Sequence, residues 1–160
     1  MRIDVMSVMR GVDPFDQLWS RRNMIRTEQG LTFNVLSLPD LVRAKKTQRD
    51  KDWPMIRRLI ESDYIAQKNP SIDQVKFYLL ESRTPAMLIS LAQEYRSETE
   101  AIVSLRSVLQ PTLEGNESAI TEALLQEEKF VREIDREYWY PLKKELENLR
   151  HTDIGIEEDV

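Results

Sequence analysis

The spacing of apolar residues changes at Ser37, and this restricts the fold more than any other feature of the chain. Before Ser37 apolar residues follow the two-residue period of pleated strands. After it they recur every three or four residues, as on one face of a helix. Strands followed by helices make an α+β chain. We expect a small mixed sheet of about three strands at the N-terminus and then a mainly helical region. In residue terms that is a partial α/β region over 1–60, a helical region over 61–151 and a disordered acidic tail over 152–160.

The segment from Arg2 to Arg10 reads as a buried strand that carries one carboxylate, Asp4. Ile3, Val5 and Met9 point to one face and Met6 and Val8 to the other, so both faces call for cover. Gly11-Val12-Asp13-Pro14 supplies a turn, and Pro14 to Arg22 a short helix capped by Asp13, with Phe15, Leu18 and Trp19 on its apolar side. Met24 to Thr27 and Leu31 to Leu36 alternate about Glu28-Gln29-Gly30, which reads as a hairpin. The opening strand then lacks a neighbour on one edge. We expect either a small sheet buried by helices or an upstream half that supplies the missing strand.

Beyond Ser37 five or six helices are expected. Ser37 with Asp40, Ser71 with Gln74 and Ser97 with Glu100 have capping-box spacing, in which a side-chain oxygen and the residue three positions on satisfy each other's backbone donors. Thr84 precedes Pro85 at a fourth start, and Asp52 can cap a helix carrying Trp53, Ile56, Leu59 and Ile60. From about Glu117 to Arg150 one apolar stripe runs through Ile120, Leu124, Val131, Ile134, Tyr138, Leu142, Leu146 and Leu149. Pro141 should kink or interrupt that helix, and His151 should cap its end. Tyr138, Trp139 and Tyr140 could stack on bases, but at least one of these rings should face the core.

The chain has no cysteine, so thiolate metal sites and disulfides are excluded and a reducing cytoplasm is the expected location. No apolar run is long enough to span a bilayer, so no membrane partner is expected. The net charge of -5 argues against strong non-specific nucleic-acid binding.

The densest charge cluster runs from Leu38 to Trp53 and sets Lys45, Lys46 and Arg49 at the end of one helix and just beyond it. These cations could complement the helix terminus and pair with Asp50 and Asp52, each contact contributing under about 1 kcal/mol. They could instead form a phosphate clamp, held between two capped helices. Their position relative to Asp4 decides between the two.

An Ile-Asp-Val strand, a hairpin ending in Val35-Leu36-Ser37-Leu38-Pro39-Asp40-Leu41, a lysine and then Arg49-Asp50-Lys51-Asp52 opening a helix together resemble the C-terminal part of a minimal nucleotidyltransferase-like domain. Bacterial antibiotic nucleotidyltransferases and abortive-infection toxins of toxin-antitoxin pairs belong to that family. The resemblance covers Arg2 to about Leu59. It implies transfer of a nucleoside monophosphate from a nucleoside triphosphate to a hydroxyl, with Mg2+ on three strand-borne carboxylates. Asp4 matches the third carboxylate, as metal ligand and catalytic residue, while Lys46, Lys45 and Arg49 would bind the nucleotide phosphates. The family's Gly-Ser turn and Asp-x-Asp pair do not precede Asp4, so in-frame sequence upstream or a second chain is expected to supply them.

The expected function is thus nucleotidyltransferase-like and incomplete in this chain, with a nucleoside triphosphate as substrate. The competing expectation is a non-catalytic module that binds a protein partner or self-associates, through the long last helix and the degenerate nucleotide fold.

Overall fold

The computed structural model describes residues 9–154. Helix α1 (Phe15–Ser20) leads into an antiparallel hairpin, β1 (Asn23–Arg26) and β2 (Thr32–Val35). The rest is helical: α2 (Leu38–Lys45), α3 (Asp52–Ala66), α4 (Ile72–Glu81), α5 (Pro85–Glu94), α6 (Arg96–Ile102), a 3-10 turn at Val103–Leu105, α7 (Leu109–Leu113) and α8 (Glu117–Ile154). Among the described residues the sheet therefore has two strands, where about three were expected. The expected strand from Arg2 to Arg10, Asp4 included, lies outside them except for Met9 and Arg10, which belong to no strand. Among the described residues seven helices follow the hairpin, where five or six were expected, because the stretch between α5 and α8 breaks into short pieces. Arg106 is the break: its backbone is extended, with φ -150 and ψ 118.

The hairpin closes where Gly30 takes φ +80, a left-handed angle that any β-carbon would strain. There Gly30 N–H donates to the Thr27 carbonyl at 2.9 Å. The register pairs Asn23 with Val35 and Ile25 with Phe33, which places Ile25, Phe33 and Val35 on one face, all of it exposed. The anchor is ionic. Arg21, just before β1, donates from Nε and Nη2 to both oxygens of the buried Asp40 in α2, at 2.7 and 2.8 Å.

The capping signals fared unequally. Ser71 and Gln74 make the full reciprocal box. Ser37 caps α2, accepting from Asp40 N–H at 3.4 Å, but the Asp40 carboxylate accepts from Ser37 Oγ and Arg21 and does not turn back to the backbone. Thr84 precedes α5 as expected, yet its hydroxyl donates to Glu61 on α3. Asp52 is the first residue of α3, not its cap, and takes the Thr47 hydroxyl at 2.6 Å. Ser97 caps nothing: α6 starts one residue earlier, after Tyr95, whose carbonyl accepts from both Thr99 N–H and Thr99 Oγ1. Asp13 likewise pairs with Arg21, and α1 starts after Pro14 without a side-chain cap.

The core is one cluster. Val42 of α2, Trp53, Ile56 and Ile60 of α3, Val75, Tyr78 and Leu79 of α4, Leu88 and Leu91 of α5, and Ile120 and Leu124 of α8 meet in it. Helix α5 lies at its centre, packed on α4, α6, α7 and α8. Inside this apolar cluster two guanidinium groups hold α8. Arg106 Nη1 donates to the Leu79 carbonyl at 2.9 Å while Nη2 donates to Glu127 at 2.8 Å. Arg83 Nη2 donates to the Leu124 carbonyl at 2.6 Å, with its guanidinium carbon 4.6 Å from the centre of the Trp53 ring. Helix α8 runs on through Pro141 and past His151 to Ile154, so the proline interrupts neither the helix nor its stripe. Residues 152–154, expected in the tail, are the end of α8.

Leu91→Ala should cost about 2–5 kcal/mol in denaturant unfolding, because Leu91 is fully buried in the core cluster. Leu146→Ala on exposed α8 should cost under about 0.5 kcal/mol. Equal costs would refute this placement of the core.

The Arg21 guanidinium, with help from the Ser37 hydroxyl, holds the Asp40 carboxyl below the usual carboxylate range against the opposing effect of burial. A carboxyl depressed in the folded state adds stability above its unfolded value, and that stability is lost as pH falls through the folded value. Wild type should thus lose more stability than Asp40→Asn as the pH is lowered below about 4. Parallel pH profiles in chemical denaturation would refute the role of this pair.

Candidate functional site

The α2–α3 connection is bound on two sides, and this shapes the site. Thr47 holds it to α3: its hydroxyl donates to Asp52, and its carbonyl accepts from Trp53 Nε1 at 2.9 Å. Asp135 of α8 holds the other side. This carboxylate is 2% exposed, accepts from Gln48 N–H at 2.9 Å and pairs with Arg10 Nη1 at 2.7 Å. A cleft of about 390 Å³ opens between these elements, walled by Leu36, Leu41, Ala44, Trp139 and Met9.

The three cations singled out in the sequence, Lys45, Lys46 and Arg49, all line this cleft. Two of the three are already neutralised. Lys46 Nζ lies 2.6 Å from Glu81 at the end of α4, and Lys45 Nζ lies 3.5 Å from Asp52. Only the Arg49 guanidinium, exposed at the rim, has no ionic partner among the described residues. Asp50, expected to pair locally, is bonded to Arg132 of α8. Asp4 lies outside the described residues.

Two residues of the site were not singled out in the sequence. Thr47 gave no signal, since nothing in a Lys-Lys-Thr-Gln run marks the threonine that will organise the turn. Asp135 did give one. It sits in the apolar stripe between Val131 and Leu142, a place where a carboxylate persists only if it is paired. The aromatic run splits as its spacing required: Trp139 is half-buried against the cleft while Tyr138 and Tyr140 are exposed.

A divalent metal does not fit the described part of the cleft. Of its two carboxylates, Asp135 is committed to Arg10 and Gln48 N–H, while Asp52 takes the Thr47 hydroxyl on Oδ2 and leaves a buried Oδ1 with no hydrogen-bond partner, 3.5 Å from Lys45 Nζ. Among the described residues no group of three or more metal-ligating side chains gathers anywhere. None of their helices is long and apolar enough to cross a membrane.

No family model, curated protein or solved structure matches the chain.

Lys46→Glu should lower the melting temperature, because it sets a second carboxylate against Glu81, and Lys46→Glu with Glu81→Lys should restore it. Arg49→Glu should leave the melting temperature within about 1 °C of wild type, as a surface change with no partner to lose. Thermal unfolding followed by circular dichroism distinguishes the two sites.

Proposed function

We propose that the cleft between α2, α3 and α8 binds the triphosphate of a nucleoside triphosphate, as the nucleotide half of a nucleotidyltransferase-like site. One observation carries this proposal: Lys45, Lys46 and Arg49 line a single cleft together with Met9 and Arg10, the described residues nearest to Asp4 in the chain. Five positions of chain separate Met9 from Asp4, an extended span of at most about 18 Å. A third strand on a free edge of the hairpin belongs to the same proposal and would complete a small mixed sheet.

Within the cleft the roles differ. Arg49, unpaired at the rim, makes the first contact, and its planar fork suits two phosphate oxygens. Lys45 lies deeper and exchanges the 3.5 Å contact with Asp52 for a phosphate oxygen, while Asp52 keeps the Thr47 hydroxyl. Lys46 holds Glu81 at 2.6 Å and gives it up less readily, so it ranks last of the three. Trp139 and Leu41 offer apolar surface to the nucleoside. Monophosphate transfer itself would need carboxylates beyond the described ones, Asp4 among these.

Calorimetric titration of wild type and Arg49→Glu with ATP and GTP, with and without magnesium, tests the assignment. Binding to wild type should weaken at least about tenfold in Arg49→Glu, a loss of about 1.4 kcal/mol. No binding to wild type, or equal affinity in the two proteins, would overturn it.

A further inference from the structure

Helix α8 keeps its apolar face after the core has ended. Ile120 and Leu124, at 0% and 6% exposure, mark the side of the helix that packs inward. At 100° per residue, Leu142, Leu146 and Leu149 fall on that same side, yet they are 46%, 47% and 55% exposed. Every residue from Tyr140 to Arg150 is exposed. At 1.5 Å per residue the helix thus runs about 20 Å past the core with its leucines in water. A lone helix of this length is marginal in water, and an apolar stripe of this kind marks an interaction surface.

The charge along its edges says what can cover it. Arg136, Lys143 and Arg150, seven residues apart, line one edge of the stripe, and Glu145 stands on the other. None of the three cations has an ionic partner among the described residues, whereas Lys45, Lys46, Arg83, Arg106 and Arg132 are all paired. A second copy of the chain is a poor occupant. Laid parallel, two copies would collide, because the core occupies the same side of α8 as the stripe. Laid antiparallel, each copy would set Lys143 against Arg150 of the other, a like-charge contact at the seam.

We propose that the end of α8 is a docking site for an amphipathic helix of another protein, whose leucine-rich face lies on Leu142, Leu146 and Leu149 and whose carboxylates meet Arg136, Lys143 and Arg150. The surface is separate from the nucleotide cleft, and its occupancy does not depend on nucleotide.

Two labelled helical peptides of about three heptads, identical in their leucine faces but flanked in one by glutamates and in the other by lysines, provide the probe. Fluorescence polarisation should show the glutamate peptide binding wild type and the lysine peptide binding at least about tenfold more weakly. Leu142→Gln with Leu149→Gln should abolish binding. Lys143→Glu with Arg150→Glu should reverse the preference and leave the leucine face intact, so a loss there cannot come from the apolar substitutions. Unchanged thermal unfolding of both variants confirms their fold. Sedimentation should show the chain alone as a monomer at micromolar concentrations. Dimerisation that the leucine substitutions dissolve, equal binding of the two peptides, or binding of neither would each overturn the proposal.

Discussion

The cleft depends on one buried carboxylate. Asp135 of α8 gathers Arg10 and the Gln48 amide, 125 and 87 residues away along the chain. Each of those closures costs chain entropy that grows only slowly with loop length. What makes the contact worthwhile is that both oxygens of Asp135 are answered, one by a guanidinium and one by a backbone N–H. A buried charge paired on one side only would destabilise the fold by several kcal/mol. With both partners in place, the α2–α3 connection is fixed against α8, and the cations of that connection share one opening.

The same logic recurs deeper in the fold. Arg106 and Arg83 sit among apolar helices, and each spends its donors on a backbone carbonyl and on glutamates of α8. Burial pushes the Arg83 guanidinium below its ordinary value, and the nearby Glu127 and Glu128 act in the opposite direction. These contacts fix where along its length α8 meets the bundle. Leucines alone would allow a slip of one turn at modest cost, but a bidentate guanidinium does not.

Local signals were legible in the sequence and distant partners were not. The hairpin was readable from alternation around Gly30, and α4 from a complete Ser71–Gln74 box, because each involves residues within a few positions of one another. The Ser97 box failed because its two letters say nothing of Tyr95, whose carbonyl already served Thr99. The basic cluster was visible as charge, but the carboxylate that answers Lys46 is Glu81, at the far end of α4. The Lys46 ammonium is therefore the most firmly held of the three, which its local sequence does not show. Asp135 was the one long-range contact the sequence did advertise, through a carboxylate placed where an apolar residue belonged.

Helix α8 is continuous as a hydrogen-bonded rod and yet belongs to two thermodynamic regimes. Its first half opens only when the core opens, because Ile120, Leu124 and the guanidinium contacts must all be lost at once. From Tyr140 to Arg150 every residue is exposed, and there Pro141 removes one ladder donor from the turn that begins at Glu137. Amide exchange should thus be slow near Leu124 and quicken steeply past Trp139, although no break in the helix marks the border. A ligand on the outer half would move that border outward, lengthening the cooperative unit without changing the fold.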